Sequence, residues 1–125
     1  MKVATYSPRQ KEIVEAYAAE LDKHLHAVRM GEADTMLEIG DFARMLHIHP
    51  THLSNTVHEV LGVSACNIFE NKILAVAKDM LLNTNMSIAQ VARQLTYDPS
   101  NFTKFFKSYE GMTPKEYRAL HMERI

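Results

Sequence analysis

At 125 residues, with 46% hydrophobic and 23% charged side chains, the chain can build a packed core and lacks the composition of a disordered segment. No apolar run approaches the roughly 20 residues that span a bilayer, and the N-terminal MKVATYSPRQKEIVEAY has no apolar signal core, which excludes a membrane protein and predicts a cytoplasmic one. The net charge of −1 hides an asymmetry: residues 1–62 carry six Lys/Arg against nine Asp/Glu, or −3, and residues 63–125 carry eight against six, or +2.

Four glycines and four prolines punctuate the sequence where helices should begin and end, and no alternating strand pattern is evident. A first helix is predicted from Pro8 to about Met30, with Ile13, Tyr17, Leu21, Leu25 and Val28 on its apolar side and Gly31 stopping it. A polar connection over 31–36 leads to a second helix from about Leu37 to Leu46. From here the sequence repeats with an offset of 49 residues: IGDFARMLHIHPTHLSNTVHEVLG (39–62) aligns without a gap to IAQVARQLTYDPSNFTKFFKSYEG (88–111). Ile, Ala, Arg, Leu, Pro and Gly recur at 39/88, 43/92, 44/93, 46/95, 50/99 and 62/111.

Each repeat reads as a short helix, a turn of about three residues, and a second helix opened by a cap and a proline. His49-Pro50 opens it in the first repeat and Asp98-Pro99 in the second, and Asp is the stronger cap. Gly62 and Gly111 close these helices, and Ser64 and Thr113-Pro114 begin the next ones. Between the repeats runs a helix from about Ala65 to Leu82, roughly 27 Å long at about 1.5 Å per residue. The single cysteine, Cys66, has no intrachain partner and is expected to be a small buried hydrophobe. In the last repeat Phe102, Phe105, Phe106 and Tyr109 form one helical stripe that reads as core, with Ser100, Thr103, Lys104 and Lys107 on the other face.

Helix, tight turn and helix make a helix-turn-helix, whose second helix enters the DNA major groove. Two in tandem predict an all-α fold of about seven helices in two helix-turn-helix subdomains joined by a central connecting helix. The segments are 1–36, an N-terminal amphipathic helix and connection; 37–64, the first subdomain; 65–86, the connecting helix; and 87–125, the second subdomain. Recognition helices about one DNA turn apart, roughly 34 Å, would let one chain read two successive major-groove segments.

The stretch SIAQVARQLTYDPSNFTKFFKSYEGMTPKEYR (87–118) resembles the signature of AraC/XylS-type transcription regulators, and LHIHPTHLSNTVHEVLG in the first repeat fits the same pattern. The resemblance covers residues 37 to about 120 and implies a sequence-specific regulator that binds double-stranded DNA and has RNA polymerase as a protein partner. Carried over by position, it implies that Thr51, Ser54 and Asn55 face bases, with His58 near the backbone. In the second unit Ser100, Thr103 and Lys104 would face bases, with Lys107 near a phosphate. Asn55 suits adenine, and Lys104 suits guanine O6 or N7. The sequence departs from the family at Thr96, where glycine is common, at Asn55 in place of Arg, at Val57-His58 in place of Phe-Lys, and at Ile73 in place of Arg. The turn of the second unit is also one residue shorter than usual for the family.

Other readings of the same residues are weaker. His49 and His52 have a spacing that can suit a metal, yet no carboxylate or thiol completes a site, and neither a metal nor another cofactor is expected. No glycine-rich phosphate loop or nucleophile–base arrangement points to an enzyme. Protonation of His47, His52 or His58 at mildly acid pH would add positive charge for phosphates. The competing function is a helical protein-interaction module that keeps the fold without binding DNA, a view favoured by the near-neutral charge and opposed by Lys104, Lys107, Lys115 and Arg118.

Overall fold

The computed structural model describes residues 6–122, so residues 1–5 and 123–125, included in the segments 1–36 and 87–125, lie outside the described residues. Among the described residues the secondary structure is seven helices: α1 (Pro8–Arg29), α2 (Ile39–Met45), α3 (Pro50–Leu61), α4 (Ala65–Asn83), α5 (Ile88–Gln94), α6 (Pro99–Glu110) and α7 (Pro114–Met122). Every boundary of α2 and α3 recurs 49 residues later in α5 and α6, so the repeat is structural as well as sequential. The two pairs α2–α3 and α5–α6 are the helix-turn-helix motifs, and α4 connects them. No single helix among the described residues is long and apolar enough to cross a membrane.

The helix boundaries follow from local chemistry. Ser7 and Gln10, Ser87 and Gln90, and Thr113 and Glu116 each form a reciprocal capping box; at Thr113, for example, the Glu116 carboxylate accepts from its N–H at 2.8 Å and its hydroxyl accepts from Glu116 N–H at 3.1 Å. These bonds hold the Glu116 carboxyl below its ordinary range, led by the Thr113 backbone N–H. Pro50 and Pro99 sit at the first helical turn, where a missing N–H costs nothing. Gly62 and Gly111 end α3 and α6 in the left-handed conformation (φ 75° and 80°), which glycine adopts without a Cβ clash.

Two compact units form, and each draws on separated parts of the chain: the first comprises Met1–His24 and Leu37–Asn71, the second Leu25–Met36 and Lys72–Ile125. Both α1 and α4 therefore contribute residues to both units. In the first, Ile13, Tyr17 and Leu21 of α1 are buried, as are Phe42, Ala43, Leu53, Val57, Ala65 and Phe69. Phe42 packs edge-on against Tyr17 and Phe69 at 5.9 and 5.4 Å between ring centres. The Tyr17 hydroxyl donates to the Ala65 carbonyl at 2.8 Å, so the buried phenol is satisfied, and burial raises its pKa. His24, also buried, accepts the Leu37 N–H through Nε2 at 3.1 Å.

In the second unit Val28 of α1 joins Leu74, Ala77, Met80, Leu81, Val91, Ala92, Leu95, Phe102, Phe106 and Tyr117 in one apolar cluster. Polar contacts fasten its margins. Arg29 pairs with Asp79, whose carboxyl is held low chiefly by that bond and then by Asn83. The Gln94 amide donates to the Arg29 carbonyl at 2.8 Å, Lys78 pairs with Glu110 at 2.7 Å, and Arg118 Nε donates to the Leu81 carbonyl at 2.8 Å near the end of α4.

Several sequence expectations need correction. Cys66 is exposed: it follows buried Ala65 on α4, one step around the helix from the face that Ala65, Phe69 and Ile73 turn inward. Phe102 and Phe106 are fully buried, but Phe105 and Tyr109 only flank the core, Phe105 stacking on Tyr97 with ring centres 5.3 Å apart. The second helix begins at Ile39, and each turn within a repeat spans four residues, 46–49 and 95–98.

Candidate nucleic-acid interface

Each second helix of a repeat has an inner apolar face that fixes which residues look outward. In α3, Leu53, Thr56 and Val57 are buried, leaving Thr51, His52, Asn55, His58 and Glu59 exposed and Ser54 half-buried. In α6, burial of Phe102 and Phe106 leaves Ser100, Asn101, Lys104 and Lys107 exposed and Thr103 half-buried. The fold thus gathers Thr51, Ser54, Asn55 and His58 along one helix of the first unit and Ser100, Thr103, Lys104 and Lys107 along one helix of the second.

Hydrogen bonding sorts these residues further. Ser100 Oγ donates to Asp98 Oδ2 at 2.6 Å, and Thr103 Oγ1 donates to the Pro99 carbonyl at 3.1 Å. Both hydroxyl hydrogens are thus engaged within α6, leaving lone pairs to accept. Asp98 also accepts the Ser100 N–H at 3.1 Å, and these bonds, led by the Ser100 hydroxyl, hold its carboxyl below the usual range. In the first repeat His49 Nδ1 accepts the Thr51 N–H at 3.1 Å, a neutral cap in the place of a charged one. Lys104 extends from a position two turns before the end of α6 and Lys107 from its last turn, where the charge of Lys107 is felt by Glu116.

The turns that aim these helices share an unusual backbone. His47 and Thr96, at corresponding positions, both adopt positive φ (58° and 68°). Such a conformation is uncommon for side chains other than glycine and most unfavourable for a β-branched one. Thr96 therefore takes up the backbone that the absent glycine would have favoured. Ile73, where the resemblance led to an expectation of Arg, is buried at 3% exposure, so its methyls lie in the interior.

Asn101 and the arginines of the first helices of the repeats are further exposed polar residues that the resemblance did not single out. Arg44 and Arg93 are exposed although their repeat pair is identical. That identity was the available signal, because an exposed side chain repeated between units is not explained by the core.

A family model described as a helix-turn-helix domain matches residues 42–120. The arabinose operon regulatory protein of Escherichia coli (strain K12) is 32% identical over 94 residues, which is 74% of this chain and 32% of that protein. The chain belongs to the AraC-type helix-turn-helix family. An HTH-type transcriptional regulator of Bacillus subtilis (strain 168), YtdP, is 33% identical over 98 residues, 78% of this chain and 13% of that protein. Among solved structures, the C-terminal domain of AraT, a response regulator from Geobacillus stearothermophilus, superposes with a TM-score of 0.76 at 25% identity, covering 94% of this chain and 88% of that one. The chain spans about a third or less of the length of these two curated relatives, and the AraC-type match falls on both repeats and the helix between them.

Proposed function

We propose that the chain binds double-stranded DNA sequence-specifically and regulates transcription, with α3 and α6 each entering a major-groove segment. The observation that carries this reading is the boundary-for-boundary repeat of α2–α3 in α5–α6, each second helix exposing a polar face. Thr51, Ser54 and Asn55 face bases in one segment and Ser100, Thr103 and Lys104 in the other, while His58 and Lys107 meet phosphates. Reading two segments with one chain gives a composite site of two half-motifs about one turn apart. The protein acts in the cytoplasm as a binding protein rather than an enzyme, with RNA polymerase as its protein partner.

Selection from a random duplex pool at about 50 and about 200 mM salt, followed by sequencing, tests this directly. Two half-motifs about one turn, roughly 34 Å, apart are expected. Lys104→Ala is expected to relax one position of the second half-motif, at a cost of about 1–3 kcal/mol in discrimination. The exposed face of α3 carries no Lys or Arg, which favours the protein-interaction reading for the first unit. Absence of any enriched motif at either salt, from folded protein, would overturn the sequence-specific reading and favour that alternative.

A further inference from the structure

Six residue identities connect the two repeats, and five have an evident structural reason. Ala43 and Ala92 are fully buried, Leu46 and Leu95 begin the turns, and Ile39 and Ile88 are half-buried. Pro50 and Pro99 open helices, and Gly62 and Gly111 close them in the left-handed conformation. The sixth pair, Arg44 and Arg93, is exposed in the last turn of the first helix of each repeat. In a helix-turn-helix that helix crosses the DNA backbone, so an exposed guanidinium there is placed for phosphate, to which its planar fork is suited.

The two arginines are not equally available. Arg44 Nη1 pairs with Asp41 at 3.2 Å, an acid three residues earlier on the same helix, whose carboxyl is held low first by the Glu38 backbone N–H and also by Arg44. The residue corresponding to Asp41 in the second repeat is Gln90, which has no charge and whose side-chain oxygen is committed to the Ser87 N–H at 2.8 Å. The acid that senses Arg93 is Asp98, itself occupied in capping α6. A phosphate arriving at Arg93 meets a cation without a carboxylate one helical turn back, and at Arg44 it must compete with one.

We infer that Arg93 is a phosphate-contacting residue that fixes α6 in its groove, and that Asp41 mutes the same function in its counterpart Arg44. This rests on the DNA-binding reading above. The contact is independent of sequence, so it adds affinity and salt dependence without specifying a base.

Anisotropy titrations of the full chain on a fluorescein-labelled duplex of mixed sequence, at salt from about 50 to about 200 mM, decide the matter. Arg93→Ala is expected to reduce the salt slope by about 0.9, so that its deficit against the wild type shrinks about threefold across that range. Arg44→Ala is expected to change the slope less, and Asp41→Asn to steepen it. Arg93→Ala should leave the urea midpoint unchanged, which separates lost phosphate contact from lost folding. An Arg93→Ala slope equal to the wild type, or an equal loss from Arg44→Ala, overturns the inference while leaving DNA binding intact. Failure of the folded wild type to bind at any salt overturns both this inference and the proposed function.

Discussion

Thr96 illustrates how a single residue can be set against its own backbone. A β-branched side chain at φ 68° crowds the neighbouring peptide, and positions of this kind cost of order 1–3 kcal/mol. Thr96→Gly is therefore expected to raise stability by about 1 kcal/mol, read as a higher urea midpoint. His24 carries a different liability. Burial pushes its imidazole below the ordinary histidine pKa, with Asp41 pulling weakly the other way, and its Nε2 must stay unprotonated to accept the Leu37 N–H. The unfolded chain thus takes up the proton first as pH falls. The His24 contribution is fully present above the unfolded pKa of about 6.5 and is lost as pH drops through that value towards the depressed folded one. Urea midpoints measured from pH 8 to pH 5 should fall, and the fall should shrink in His24→Gln; an equal fall in the variant would remove His24 as its source.

At the level of the helix, the two recognition elements differ most at their first residue. Asp98 offers a carboxylate to the Ser100 N–H and the positive end of α6, whereas His49 offers one neutral ring nitrogen to α3. Asp98→Ala is expected to lower the urea midpoint more than His49→Ala does. The Asp98 contribution is present above the ordinary carboxylate pKa and is lost as pH falls through its depressed folded value, so the two variants should converge at strongly acid pH. These ends were legible in the sequence because proline at the start and glycine at the finish are local signals, and α3 and α6 begin and close where they were expected. The candidate face was legible through the repeat, which sets Lys104 opposite Phe102 and Phe106. The engagement of Ser100 and Thr103 within their own helix was not, since it depends on rotamers. The exposure of Cys66 follows from its helical phase on α4, which residue type alone does not reveal.

Across the whole molecule, charge and connectivity matter more than any one contact. The second half carries +2 against −3 in the first, so phosphate attraction is concentrated on α5, α6 and their surroundings. Lys107→Ala is expected to weaken binding to all duplexes alike and to reduce the salt slope by about 1, whereas Asn55→Ala should alter one preferred base and leave the slope unchanged. The assignment of α1 to two units was not legible from its sequence, because its apolar stripe from Ile13 to Val28 is continuous and only long-range packing shows that it serves two cores.

That sharing makes the edge of homology different from the edge of stability. The family match opens at residue 42, yet a fragment beginning there would lose Ile13, Tyr17 and Leu21 from one interior and Val28 from the other. It would also leave Asp79 without Arg29 and Gln94 without its carbonyl acceptor. Such a fragment is expected to lose the cooperative thermal transition of the longer chain, as circular dichroism would record. For anyone grafting this reader onto another protein, the portable cassette begins at the start of α1, and the fusion point belongs ahead of Pro8.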